Sequence, residues 1–135
     1  MVFFGEFLVN FTGPGRLVLP KKIRELLKGD TFILTKGFDF CLAGFDKEDW
    51  ETRAKDLLNV SLLNQENLDK RRRLFSSVVY MQIDEQGRFI IPKNLLIYAD
   101  LKKEVIIIGA GDHFEIWDKE KWLNYASSSF FNRDN

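Results

Sequence analysis

The chain has 135 residues, of which 45% are hydrophobic and 30% charged, a composition typical of one globular domain or of two small units that share a core. Twenty basic residues balance twenty acidic ones, so a nucleic-acid site would have to be a local patch. Only one cysteine, Cys41, and one histidine, His113, are present. This excludes an intrachain disulfide, a cysteine-based zinc site and paired-histidine metal motifs.

The N-terminal segment lacks the basic start and long apolar run of a signal peptide. The longest apolar window, residues 105–110, is far shorter than a membrane span requires. We therefore expect a soluble, cytoplasmic protein with no membrane partner.

The N-terminal part predicts two short strands joined by a tight turn, because Gly15 allows the positive φ that such a turn requires. The second strand ends at Pro20, which cannot donate within a central strand but suits the first position of a helix. The remaining elements of this part are a helix with Ile23, Leu26 and Leu27 at helical spacing, a strand at 32–34, a glycine turn, a strand at 40–42, and an amphipathic helix from about Lys47.

Residues 61–75 look helical and carry the basic run Lys70, Arg71, Arg72 and Arg73. Such a run could add phosphate contacts, but on a helix it is more often a solvated face.

The same pattern of elements then recurs, because an offset of 72 residues aligns the two halves without a gap. It carries residues 15–21 (GRLVLPK) onto residues 87–93 (GRFIIPK) and Trp50 onto Trp122. Nine residues are identical between Gly15 and Trp50 and their counterparts. The chain is a tandem duplication. Each copy is too short to bury a core of its own, so we expect the two to intertwine as one pseudo-twofold α+β domain with the helices packed on one side.

The repeated strand–Gly-Arg–strand–Pro-Lys element carries the strongest chemical signal. Each glycine turn places an arginine, Arg16 or Arg88, on a rigid tip, and pairing of the copies brings both tips to one face. An arginine so held can fork onto guanine or onto a phosphate. The lysines at the start of the following helices would attract an anion. The predicted DNA-binding residues are Arg16, Lys21, Lys22, Arg24, Arg88 and Lys93, supported by Thr12, Gly15, Pro20, Asp84, Gly87 and Pro92. The alternative interpretation is an arginine that ties a turn to a carboxylate, beside solvated lysines.

Other candidates carry less chemistry. Asp112, His113 and Glu115 form a polar cluster more typical of a turn than of a metal or acid–base site, and we expect no catalytic residue, metal or cofactor. Matching positions make Trp50 and Trp122 packing anchors. Three aromatic residues could serve a contact between subunits: Tyr98, Phe130 and Phe131.

Residues 83–92 (IDEQGRFIIP), with Asp84 and Arg88 in an Asp-x-x-x-Arg spacing, resemble the signature of the MraZ family. This family comprises tandem-repeat members of the AbrB-like (SpoVT–AbrB) DNA-binding superfamily. The likeness continues through short segments that together span most of the chain: residues 4–7, 73–76, 98–105, 109–111 and 114–117.

The resemblance implies a swapped-hairpin-type barrel made by two AbrB-like repeats, at residues 5–50 and 77–122. Residues 51–75 would connect them, and residues 123–135 would form a tail. It also implies ring-shaped homo-oligomers that bind short G-rich direct repeats of double-stranded DNA ahead of the division and cell-wall gene cluster, usually repressing it. The protein would then be nucleoid-associated, with no small-molecule substrate.

This sequence departs from the family pattern at one motif position, where Thr12 replaces the acid represented by Asp84 in the second copy. If that acid braces the arginine, Arg16 lacks an ion pair, although Pro14 in the turn would restore stiffness. The two copies are therefore expected to contact DNA unequally. The alternative function is an AbrB-like protein-interaction module of antitoxin type, although such modules generally carry a longer disordered extension.

Overall fold

Each copy of the repeat folds as four strands and two helices, with a further helix between the copies. The computed structural model describes residues 2–59 and 64–128. The elements of the first copy are β1 (Glu6–Asn10), β2 (Arg16–Val18), α1 (Lys21–Arg24), β3 (Thr31–Lys36), β4 (Leu42–Asp46) and α2 (Lys47–Leu58). The connecting helix is α3 (Gln65–Ser76). The elements of the second copy are β5 (Val79–Gln82), β6 (Arg88–Ile90), α4 (Lys93–Ala99), β7 (Glu104–Gly109), β8 (Phe114–Asp118) and α5 (Lys119–Ala126).

The two copies exchange strands in an antiparallel six-stranded sheet of order β1-β7-β8-β4-β3-β5. The first strand of each copy pairs with the third strand of the other, β1 with β7 and β5 with β3. The fourth strands, β4 and β8, pair at the centre. Strands β2 and β6 form a separate antiparallel ribbon, again with one strand from each copy. The predicted intertwined tandem-repeat fold is confirmed.

The main core lies between the inner face of the six-stranded sheet and the ribbon. Alternate strand residues point into it, as the period of two requires. Phe32 of β3 makes an edge-on contact with Phe89 of β6, at 5.1 Å between ring centroids, and a tilted contact with Phe114 of β8 at 5.5 Å. Ile23 of α1 and Leu95 of α4 enter the same cluster. The main core is therefore built from strand and helix residues of both copies.

The outer face of the sheet is covered by three helices, since α2 packs on β3 and β4, α3 on β3, and α5 on β7 and β8. Trp50 is buried in contact with Phe45 and Phe75. Trp122 is buried against Trp117. The matched tryptophans are packing anchors, as predicted.

Three local elements differ from the predicted ones. Phe38–Phe40 is a 3-10 turn rather than the start of a strand, because the Cys41 N–H donates to the Phe38 carbonyl at 3.4 Å, the i→i+3 bond of such a turn. The Gly37 N–H donates to the Cys41 carbonyl at 2.8 Å and closes the loop before β4 begins. Helix α1 has a single turn, because the backbone tightens to i→i+3 hydrogen bonds at Leu26 and Leu27.

The third difference concerns Pro20 and Pro92, which occupy the N-cap rather than the first helical position. The connecting helix begins at Gln65, and residues 61–63 of its predicted span lie outside the described residues. The repeat boundaries of 5–50 and 77–122 stay predictions.

The strand exchange predicts that neither copy folds alone. Cutting the chain at Asn64, between the copies, would leave β1 without β7 and β5 without β3. We expect each isolated fragment to give a poorly dispersed NMR spectrum with little amide-exchange protection, and a mixture of the two fragments to recover protection. Dispersed, protected spectra from both isolated fragments would contradict the exchange.

Candidate nucleic-acid interface

The ribbon of β2 and β6 has one buried and one open face. Leu17 and Phe89 are paired across it and point into the core, with 0% and 2% of their surface exposed. Arg16 pairs with Ile90, and Val18 with Arg88. Because side chains alternate along a strand, these four residues lie on the open face. Both predicted arginines therefore project from the same side, at diagonal positions of the ribbon, which in such a pair of strands are about 7–8 Å apart.

In the second copy, Asp84 braces the turn that carries Arg88. Its Oδ1 accepts the backbone N–H groups of Gln86 and Arg88, both at 2.9 Å, and its Oδ2 accepts Arg88 Nε at 2.6 Å. The hydrogen bond from the Arg88 backbone, followed by that from its side chain, lowers the pKa of Asp84 below its usual value. The Asp84 carboxylate thus holds both the backbone of the turn and the Nε atom of Arg88 in place.

In the first copy, Thr12 holds Arg16 without a charge. Arg16 Nε donates to Thr12 Oγ1 at 3.2 Å, and Nη2 donates to the Thr12 carbonyl at 3.3 Å. The Arg16 backbone N–H donates instead to the Gly13 carbonyl at 3.1 Å. These are neutral acceptors at longer distances, so they restrain the guanidinium less than a carboxylate does.

Each glycine turn is tied to the opposite copy by a matched backbone hydrogen bond. Leu19 N–H donates to the Gly87 carbonyl at 2.8 Å, and Ile91 N–H donates to the Gly15 carbonyl at 2.9 Å. Gly15 and Gly87 adopt positive φ, at 68° and 82°. The predicted glycine turns are confirmed, and the two arginine tips are locked to each other through the backbone.

Arg24 lies against the second of these turns. A Cβ on Gly87 would collide with the Arg24 guanidinium, just as a Cβ on Gly15 would contact Leu96, the counterpart of Arg24. Arg24 Nη1 is buried and has no hydrogen-bond partner among the described residues. This side chain packs between the copies, so a DNA-binding role for Arg24 stays a prediction that the packing does not favour.

The three predicted lysines lie on exposed positions of the helices that follow the ribbon strands. Lys21 and Lys93 begin α1 and α4, and Lys22 follows Lys21. Lys21 makes a 3.9 Å ion pair with Glu25, both largely exposed, which is a weak interaction. Their side chains are therefore available to an anion beside the ribbon.

A groove of about 510 Å³ runs along the ribbon beside β5. Among the predicted residues it is lined by Arg16, Asp84, Arg88 and Pro92, whereas the lysines lie outside it. Tyr80, Gln82 and Ile90 also line it and were not predicted. Along β5, the exposed Tyr80 and Gln82 alternate with the less exposed Val79 and Met81. This period of two in the sequence could have identified Tyr80 and Gln82 as outward-facing residues. Only the fold shows that this edge faces the arginines.

Two weaker candidates are embedded in local networks. Lys70 pairs with Glu66 at 3.4 Å and Arg72 with Asp69 at 3.7 Å along α3, the arrangement of a solvated helix face. Tyr98 donates its hydroxyl to the Gly37 carbonyl at 2.6 Å. It therefore braces the turn before β4. Phe130 and Phe131 lie outside the described residues.

His113 is the centre of a polar network on the outer face. Its Nδ1 lies 2.7 Å from Asp112 and its Nε2 lies 2.8 Å from Glu115. The hydrogen bond to Glu115 is the main reason why the pKa of His113 is raised. Arg53 pairs with Asp112 at 3.0 Å. Within residues 2–59 and 64–128, no group of three or more histidine, cysteine or acidic side chains has the arrangement of a metal site.

The exchanged strands and the arginine-bearing ribbon define a tandem-repeat, swapped-hairpin class of protein. A family model described as "MraZ protein, putative antitoxin-like" matches residues 2–73 and again residues 74–135. The chain belongs to the MraZ family.

Three relatives, each named "Transcriptional regulator MraZ", show the extent of the similarity. The protein of Finegoldia magna is 40% identical over 98% of this chain and 92% of its own length. That of Clostridium acetobutylicum is 40% identical over 95% of this chain and 89% of its own. That of Lactiplantibacillus plantarum is 37% identical over 98% of this chain and 94% of its own length. In the described part of the chain, no helix combines the length and apolar character needed to cross a membrane.

The bracing of the second turn predicts a pH-dependent loss of stability in Asp84→Asn. A carboxylate whose folded pKa is lowered stabilises the fold above its unfolded pKa of about 3.9, and this contribution disappears as pH falls through the folded value. We expect the variant to have a lower free energy of unfolding at pH 7, with the difference shrinking below about pH 4. Denaturant titrations over this pH range measure it. Glu85→Gln, the same charge change on the exposed neighbouring residue, is the control. Equal pH profiles for the two variants would contradict the bracing role.

Proposed function

We propose that the protein is a sequence-specific, DNA-binding transcriptional regulator that reads base edges with the open face of its ribbon. The observation that carries this proposal is the register of β2 and β6, which puts Arg16 and Arg88 on one face above a fully buried Leu17 and Phe89. The names of its relatives as transcriptional regulators support the same function.

The major groove of B-DNA admits a two-stranded β-ribbon. There an arginine can donate two hydrogen bonds to the O6 and N7 atoms of guanine, a contact that discriminates against the other bases. Asp84 occupies Arg88 Nε and leaves the terminal nitrogens of that guanidinium for a base. Arg16 Nη2 donates to the Thr12 carbonyl, a neutral bond that DNA can replace.

Phosphate contacts would come from Lys21, Lys22 and Lys93, which flank the ribbon on exposed positions. Such contacts position a protein on DNA without reading sequence. A few of them per subunit are compatible with a net charge of zero, because a local patch of lysines beside the ribbon is enough to supply them.

We further propose, from the family, that the functional unit is a ring-shaped homo-oligomer bound to G-rich direct repeats ahead of the division and cell-wall gene cluster, which it represses. The protein acts on DNA as a binding protein, without catalysis. Linking several weak subunit contacts raises overall affinity by roughly 10²–10⁴, which offsets the weak long-range attraction of a neutral protein.

An antitoxin-type protein-interaction module is the second candidate. It is favoured by the description of the matching family model and by two exposed aromatic residues, Phe38 and Phe40, with 75% and 62% of their surface open. A parent chain that binds no DNA would favour this function over the first.

Arg16→Ala and Arg88→Ala are expected to weaken specific DNA binding while leaving the fold intact. Loss of a bidentate base contact costs about 1–3 kcal/mol for each arginine engaged. Because Arg16 is held by Thr12 and Arg88 by Asp84, the two variants should lose different amounts of DNA affinity. Gel shifts with the DNA upstream of the protein's own gene measure this, alongside thermal melts. Arg53→Ala, an arginine paired with Asp112 on the helix-covered side, is the control. Parental binding by both ribbon variants would contradict the proposal.

Affinity is expected to rise steeply with the number of tandem repeats in the DNA probe. Adjacent repeats let neighbouring subunits bind as intramolecular events when the spacing matches the oligomer. Salt dependence should also steepen, by a log–log slope of about −0.9 for each further phosphate neutralised. Fluorescence anisotropy with probes of one to four repeats, at several salt concentrations, measures both. Equal affinities and slopes on all probes would show that a lone subunit binds.

A further inference from the structure

The open face of the ribbon carries two branched apolar residues beside its two arginines. Ile90 pairs directly across the ribbon with Arg16, and 63% of its surface is exposed. Its counterpart in the first copy, Val18, pairs with Arg88 and is half-buried. The two copies therefore present apolar tips of different size and exposure next to the arginines.

Strand preference explains a branched residue at position 90, and single exposed apolar residues are common on protein surfaces. The surroundings of Ile90 are less ordinary. It lines the same groove as both arginines, together with Tyr80 and Gln82. An apolar tip thus lies among hydrogen-bonding side chains, on the face that the proposed function presents to base edges.

We propose that Ile90 is a specificity-determining residue that packs against the C5-methyl group of a thymine. The inference rests on the proposed function. Among the base-edge groups of the major groove, the thymine methyl is the apolar one. Cytosine and uracil present a hydrogen at that position. Contact with Ile90 therefore distinguishes thymine from both without any hydrogen bond.

The register also fixes where this thymine lies. Because Ile90 is the cross-strand partner of Arg16, with Cβ atoms about 4.5–5.5 Å apart in such pairs, the thymine lies within one or two base pairs of the base read by Arg16. Val18, beside Arg88, is smaller than Ile90 and half-buried, so it offers less apolar surface to a base. We therefore expect the methyl contact of each ribbon on the Arg16 side.

The test begins with a duplex that the parent chain selects from a randomised library. Each thymine in that duplex is replaced in turn by deoxyuridine, which removes only the methyl group, and binding is measured by anisotropy. At one thymine position in each repeat unit, we expect the parent to lose about fourfold in affinity, equivalent to ~0.8 kcal/mol for one buried methyl group.

Ile90→Ala should bind the thymine duplex about as weakly as the parent binds the uracil duplex, and should be insensitive to the replacement. This non-additivity is the signature of a direct contact. Ile90→Val retains a branched tip and should keep part of the sensitivity. Leu123→Ala, an exposed apolar residue of α5, is the control and should respond as the parent does.

The failures of the two proposals are distinguishable. A parent chain that enriches no sequence overturns the proposed function and this inference with it. Suppose that the selection enriches a DNA sequence whose binding requires Arg16 or Arg88. If that sequence has no position at which thymine is always selected, the proposed function stands and only the role of Ile90 is overturned. The same holds if its uracil forms bind equally well, or if Ile90→Ala remains as sensitive as the parent.

Discussion

Exchange of strands between the two copies is the constraint on which the rest of the molecule depends. A unit of four short strands cannot bury enough surface by itself, and here each copy gives its first strand to the third strand of the other. The exchange brings β2 and β6 together, so the ribbon is a product of the pairing and not of either copy. The two arginine tips lie on one surface for the same reason.

Burial of one face stiffens the ribbon and leaves the other face free. Leu17 and Phe89 anchor it in the core, and the matched bonds between the ribbon and the glycine turns hold its ends. Side chains on such a support lose little further freedom when they bind, which favours affinity from few contacts. Under the proposed function, this rigidity would let a chain with no net charge bind a polyanion, because pre-positioned contacts would take the place of long-range attraction.

The sequence predicted the repeat, most of its elements and the glycine turns beside Arg16 and Arg88, because a 72-residue offset with matched glycines and prolines is a long-range signal. Features that depend on contact between the copies were not predictable. The packing of Arg24 on Gly87 needs the strand exchange to be known. The groove formed by Tyr80 and Gln82 next to Arg88 brings together residues of β5 and β6. The periodicity of each strand does not reveal that these residues are close in space. The 3-10 turn at Phe38–Phe40 arises from two local backbone hydrogen bonds, and so short a segment leaves no periodic pattern in the sequence.

The departures from symmetry between the copies bear on the proposed DNA target. A ribbon with exact twofold symmetry would read a palindromic step identically in either direction. Here the pseudo-twofold axis relates Thr12 to Asp84 and Val18 to Ile90, so one arginine is held by a carboxylate and the other by neutral acceptors. One apolar tip is open and the other half-buried. Under the proposed function, such a subunit would bind DNA in one direction only. Subunits arranged head to tail in the proposed ring would then all face the same way along the DNA, which matches the direct repeats that the family implies.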